Sequence, residues 1–140
     1  MFLWGNYLSI FIELFSDCIS VLQMVTNEER DVPDFSETIF TVSPVDFIKN
    51  IDNILSSKQD KWIINIDVDY FVVESGNGYL NLFSDDFIDY LTECLYKLSK
   101  EGFVEIMTIS LSPECAGGWE NSIQLANKIC KKFGCNISEI

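Results

Sequence analysis

K-W-I-I-N-I-D-V-D-Y-F, residues Lys61 to Phe71, is a short apolar run that carries two carboxylates two positions apart and then enters a loop rich in Gly, Asn and Ser. A β-strand repeats every two residues, so a strand over Trp62 to Val68 is predicted, with Asn65, Asp67 and Asp69 on one side. Bare carboxylates in such a run are costly to bury unless a cation or hydrogen-bond donors compensate. No Lys or Arg lies between Trp62 and Lys97 to pair with them. Two readings stand side by side. In one, Asp67 and Asp69 are oxygen ligands for Mn²⁺ or Mg²⁺ at the end of a central strand, one carboxylate being able to bridge two ions. In the other, they cap the turn or accept backbone hydrogen bonds in the loop after the strand.

The sequence on both sides alternates strand and helix patterns. Residues 4 to 17 are apolar on nearly all sides and predict a buried helix. Ile19 to Val25 reads as a strand, 26 to 34 as a polar surface loop, and Glu37 to Val42 as a short edge strand. Ser43-Pro44-Val45-Asp46 is a helix start, with Ser43 as N-cap and Pro44 in the first helical position, and apolar spacing continues to Ser57. Glu74 to Tyr79, E-S-G-N-G-Y, reads as a flexible loop. Ser84-Asp85-Asp86 caps a helix with the stripe Phe87, Ile88, Leu91, Leu95 and Leu98, ending before Gly102. A strand over Phe103 to Leu111 runs into the loop S-P-E-C-A-G-G-W, Ser112 to Trp119. A helix from Glu120 to Phe133 is closed by Gly134, and Cys135 to Ile140 resembles the start of another strand. Strands alternating with helices predict an α/β class with a mainly parallel sheet, built as one domain over residues 1–140. In such sheets ligands gather at the carboxyl ends of the strands, where Asp67, Asp69 and Glu114 all fall.

Composition narrows the chemistry. With 22 acidic against 9 basic residues the formal net charge is −13, which repels phosphate backbones and excludes nucleic acid as a partner while favouring cations or basic substrates. There is no histidine in the 140 residues. That removes Ser-His-Asp and Cys-His catalysis and the commonest transition-metal ligand, so a metal site within this chain has to be built from carboxylates, carbonyls or thiolates. The five cysteines are an odd number without a C-x-x-C pair, which fits reduced thiols in a cytoplasmic protein. Cys130 and Cys135 are the one close pair; the spacing allows a disulfide between them, but the surrounding sequence does not suggest one. The apolar N-terminus lacks a basic n-region and is interrupted by Glu13 and Asp17, so neither an export signal nor a membrane span is expected.

Beyond the two aspartates, Glu114 sits in a loop stiffened by Pro113 and loosened by Gly117-Gly118. A carboxylate there can hold a guanidinium through paired hydrogen bonds, or serve as an ordinary loop residue. Cys115 has no His or nearby Lys to activate it and reads as a structural thiol. Trp4-Gly5-Asn6-Tyr7 marks a close backbone approach, a cap or simple packing. Glu74, Asn77 and Tyr79 can line a substrate pocket or belong to a mobile surface loop.

W-G-N-Y-L, I-D-V-D-Y-F and T-I-S-L-S-P-E-C-A-G-G-W together resemble the peptide arginases of the arginase/ureohydrolase superfamily, over Trp4 to about Phe133. These are bacterial maturation enzymes that convert peptidyl arginine to ornithine and urea. The resemblance implies a three-layer α/β/α fold and a dinuclear Mn²⁺ site that turns a bridging water into hydroxide. Asp67 matches the bridging ligand, Asp69 a ligand of one metal, and Glu114 the acid that holds the guanidinium, with a peptide containing arginine as substrate. The superfamily also carries an Asp-x-His-x-Asp motif, and this chain has none. W-G-N-Y-L is similar to the stretch that follows that motif, so the resemblance implies an incomplete, N-terminally truncated arginase-like domain, inactive alone and prone to self-association through an open sheet edge. The competing expectation is a non-catalytic acidic α/β interaction module. A Mg²⁺-dependent phosphotransfer fold is disfavoured, because no phosphate-cradling loop accompanies the two acids.

Overall fold

The computed structural model describes residues 7–25, 39–56 and 61–138. The chain packs as two compact units, Met1–Phe47 and Ile48–Ile140.

In the first unit a helix α1 (Tyr7–Phe15) leads through a 3-10 turn at Ser16–Cys18 to strand β1 (Leu22–Val25), which pairs in parallel with β2 (Ile39–Val42), Leu22 opposite Ile39 and Val25 opposite Val42. The helix is less covered than its sequence predicts. Ile12 is buried, but Phe11, Leu14 and Phe15 are exposed, and the rings of Phe11 and Phe15 lie 5.0 Å apart. The strand predicted from Ile19 begins only at Leu22, because the chain first closes the 3-10 turn. Trp4, Gly5 and Asn6 lie outside the described residues, as does the loop over 26–34.

Helix α2 (Pro44–Ser56) starts where its local chemistry says it should. The Ser43 hydroxyl oxygen accepts the Asp46 N–H at 3.2 Å and donates its own proton to the Asp46 carboxylate at 2.8 Å. The backbone N–H of the first turn and a first-turn acid are thereby satisfied together.

Among the described residues the second unit carries most of the buried side chains. Strand β3 (Trp62–Asp67) passes through a 3-10 turn (Val68–Phe71) into an antiparallel hairpin, β4 (Val72–Ser75) and β5 (Gly78–Asn81); helix α3 (Asp85–Lys100), strand β6 (Val104–Ser110), helix α4 (Trp119–Cys130) and a last 3-10 turn (Lys131–Phe133) follow. β6 returns beside β3 in parallel, from Ile63 opposite Ile106 to Asp67 opposite Ser110, after a bulge between Trp62 and Ile63. The interior is apolar side chains at helical spacing: Ile88, Leu91, Leu95 and Leu98 of α3, Ile123, Leu125, Ala126 and Ile129 of α4, with Ile66, Val68 and Phe71 from the strand and its turn. Burying each of the larger side chains, Ile, Leu, Val and Phe, stabilises the fold by roughly 1.5–3 kcal/mol before the entropy of ordering is counted. Ser84 caps α3 as expected, its hydroxyl accepting the Phe87 N–H at 3.3 Å.

Four sequence expectations are corrected. The mixed α/β class and parallel pairing are present, but the described strands do not join into one sheet: they form two parallel pairs and one antiparallel hairpin. β3 ends at Asp67, so Asp69 leaves the strand and turns with the 3-10 segment. The supposed flexible loop over Glu74 to Tyr79 is the β4–β5 hairpin, whose two-residue Gly76-Asn77 turn is relieved by Gly78 at φ 124°. Polarity suggested a loop, but the β-branched Val72-Val73 and the Gly-Asn-Gly turn chemistry decide for pairing. Residues 135–138 are not a strand; they run along α4, held by its Asn127.

The β3–β6 pair has one covered and one open face. Ile66 is buried on one face, whereas Ile63 and its register partner Ile106 on the other are 62% and 50% exposed. On the open face Thr108 donates its hydroxyl proton to the Asn65 amide oxygen at 2.8 Å.

Candidate functional site

Parallel pairing brings the carboxyl ends of β3 and β6 side by side, with Asp67 opposite Ser110. The two acid-bearing segments picked out in the sequence therefore leave the sheet at one edge.

Asp67 ends its strand with extended backbone and caps the 3-10 turn that follows: its Oδ1 accepts the Asp69 N–H at 3.3 Å. The turn closes when the Val72 N–H donates to the Asp69 carbonyl. Its geometry follows from burial. Val68 and Phe71 are almost completely buried, and the turn packs on α4. A continued strand would send Val68 to the face opposite Asp67 but could not also bring Phe71 into the same core. Tyr70 is half-buried beside them. Its ring stacks on Phe83 at 5.3 Å and meets Phe71 edge-on at 5.1 Å. Burial pushes its phenol up to about 12. Asp67 and Asp69 thus share a turn rather than a strand face.

The loop from Ser112 to Gly118 is tightly built. Ser112 adopts a left-handed φ of 41°, and its carbonyl accepts the N–H groups of both Cys115 and Ala116 at 2.9 Å. The Pro113 carbonyl accepts the Gly118 N–H at 2.8 Å. Ala116 is fully buried, and Asn121 of α4 donates to its carbonyl at 2.7 Å. The buried Ser122 donates its hydroxyl proton to the Gly118 carbonyl at 2.7 Å. The result is a rigid platform that presents Glu114 to solvent. Among the described residues the Glu114 carboxylate has no ion pair or hydrogen bond.

Tyr79 of β5 closes this edge. Its hydroxyl donates to the Glu114 carbonyl at 2.9 Å. Its ring lies against Gly117, where an added Cβ would stand 3.2 Å from the Tyr79 Cβ and Cγ. Gly117, expected to let a ligand approach, instead lets this ring approach. Asn77 is exposed in the hairpin turn. Glu74, also exposed, lies on β4 and pairs with Tyr79. Cys115 is an exposed free thiol.

As a metal centre the edge is incomplete. Among the described residues no group of three or more His, Cys, Asp or Glu side chains can hold a metal ion. One Asp67 oxygen is already engaged by a backbone N–H. The residues present do not fit a manganese pair by themselves. The sequence pointed to the acids but not to the groups that fix the loop beneath Glu114. Tyr79, Asn121 and Ser122 act through contacts made across 35 residues or within the first turn of α4, for which spacing gives no signal.

No protein-family model, no curated protein and no solved structure matches the chain. Among the described residues no helix is long and apolar enough to cross a membrane.

Proposed function

We propose that the carboxyl edge of β3 and β6 recognises the guanidinium of a peptidyl arginine, with Glu114 as the acceptor, in the manner implied by the resemblance to peptide arginases and their three-layer fold. The observation that supports this is a carboxylate that has no partner among the described residues, on a hydrogen-bonded loop at the strand ends. A guanidinium can take both oxygens of such a carboxylate in a bidentate pair. The chain does not hydrolyse arginine alone. Asp67 and Asp69 would contribute to a Mn²⁺ centre only together with ligands from outside the described residues.

The test is binding of a short arginine peptide and of the same peptide with citrulline, which keeps the shape and loses the charge. The arginine peptide should bind, and Glu114→Gln should weaken it by roughly 10- to 100-fold, the worth of a charge-assisted hydrogen bond. Equal binding of both peptides, or no effect of Glu114→Gln, would refute the assignment. Manganese titration is the companion measurement: wild type and Asp67→Asn should differ only when the missing ligands are supplied.

A second reading, a non-catalytic interaction module for a basic partner, is favoured by the engagement of Asp67 in capping and by the excess of acids over bases. It predicts binding to basic peptides regardless of whether arginine or lysine carries the charge.

A further inference from the structure

Helix α4 ends in a turn whose two defining hydrogen bonds are both present. The Gly134 N–H donates to the Lys131 carbonyl at 3.1 Å, and the Cys135 N–H donates to the Cys130 carbonyl at 3.1 Å. Gly134 supplies the left-handed residue, φ 75°, that this ending requires. Together these are the nested bonds of a Schellman ending. In that ending the side chains of its first and last residues meet on one side of the turn, where an apolar pair commonly sits. Here both positions are cysteines.

The spacing suits a covalent bond. Standard backbone dimensions and the 3.1 Å hydrogen bond hold the two Cα atoms within about 7 Å, the outer limit for a disulfide that closes without backbone movement. Cys135 is exposed and Cys130 half-buried, and both are free thiols. Burial first, and the neighbouring Cys135 second, push the Cys130 thiol up.

We propose that Cys130 and Cys135 form a redox-active dithiol that closes to an intramolecular disulfide by exchange with small disulfides of the oxidised-glutathione type. The exposed Cys135, as thiolate, attacks one sulfur of the small disulfide. That S–S bond breaks, a mixed disulfide forms on Cys135, and one small thiol leaves with the electron pair and takes up a proton. Cys130 then loses its proton and attacks the Cys135 sulfur, expelling the second small thiol. The protein gives up two protons and two electrons, and one small disulfide becomes two thiols. Closure acts on the chain beyond the helix. The Asn127 side chain already holds Ile137 by two hydrogen bonds, its amide oxygen accepting the Ile137 N–H at 2.7 Å and its amide donating to the Ile137 carbonyl at 3.0 Å. The disulfide would tie the intervening segment to α4 at a second point.

The experiment uses the full chain with Cys18→Ser and Cys115→Ser, which removes the other exposed thiols. The protein is equilibrated in oxidised and reduced glutathione mixtures, acid-quenched and digested with trypsin. Trypsin cuts after Lys128, Lys131 and Lys132, so the disulfide joins the peptide 129–131 to the peptide 133–140, and reduction separates them. That cross-link is the expected product. Cys130→Ser should instead trap one glutathione on Cys135. Gly134→Ala, which strains the left-handed turn, should shift closure about fivefold toward the open form. Glutathione adducts without the cross-link, no reaction at all, or equal cross-linking in native buffer and in concentrated urea would each overturn the proposal. None of these outcomes depends on whether Glu114 binds arginine.

Discussion

The Asp67 carboxylate has a structural task before any cation is considered: it accepts the Asp69 N–H and starts the turn that buries Val68 and Phe71. Asp67→Ala should lower stability by about 1 kcal/mol, the usual worth of a capping side chain, whereas Asp67→Asn should stay within a few tenths because an amide oxygen caps equally well. Urea denaturation of both variants checks this. A large loss in Asp67→Asn would mean that the negative charge itself is needed, as a bound cation would require. Tyr70 offers a second measurement in the same turn. Its phenol is raised from 10.0 to about 12 by burial, so the folded state favours the neutral form. That contribution is complete below pH 10 and is lost as pH rises toward 12. In an ultraviolet titration, Tyr70→Phe should remove a late-ionising component near pH 12 and flatten the alkaline loss of stability. An unchanged titration curve would show that the ring is not buried as described.

At the level of elements, the seam between the β4–β5 hairpin and the Ser112–Gly118 loop rests on one glycine. Gly117→Ala meets two obstacles, a φ of 79° and the Tyr79 side chain at 3.2 Å, whereas Gly118→Ala meets only a φ of 95° in open space. Both should destabilise by roughly 1–2 kcal/mol for the backbone conformation, with Gly117→Ala the worse of the two. Equal losses would argue that Tyr79 does not pack there. This seam also marks the limit of what the sequence could disclose. Helix starts at Ser43 and Ser84 and the closing Gly134 were readable because a cap depends on residues three or four apart. The parallel β3–β6 pairing was implied by the alternation of strands and helices. The hairpin is hard to read because Glu74 to Tyr79 is polar, and β5, exposed along its whole length, has no buried face to impose an alternating pattern. Asp69 was misplaced for a related reason. Period-two reasoning holds only while the strand lasts, and the core's demand for Val68 and Phe71 together, which ends it, is a tertiary effect. The acids of the candidate site are legible as residue types, while that no third ligand converges on them among the described residues is visible only in the fold.

For the whole molecule, charge balance sets two effects of salt against each other. The ion pairs Lys61–Glu105 at 2.6 Å and Lys97–Asp52 at 3.8 Å, and the contacts Lys128–Asp85 and Lys132–Glu93, all lie in solvent-accessible positions among the described residues. Each contributes about 0–1 kcal/mol at most and is weakened by added salt. Against them stands the mutual repulsion of a chain with formal net charge −13, which salt also screens, and which favours the expanded state because unfolding moves like charges apart. Among the described residues these four pairs join four bases to four acids and leave the sequence's excess of 22 acids over 9 bases unchanged, so the repulsion outweighs the attraction. Raising potassium chloride from a few millimolar to about 0.5 M, where the Debye length falls below roughly 5 Å, should therefore raise the urea midpoint. A control series separates the two contributions. Lys128→Met and Lys132→Met together delete two attractive contacts and increase the net negative charge, so the variant should be less stable in low salt and gain more from added salt than the wild type. If salt instead lowers the wild-type midpoint, the surface ion pairs dominate, and the acidic excess is arranged so that its charges hardly sense one another.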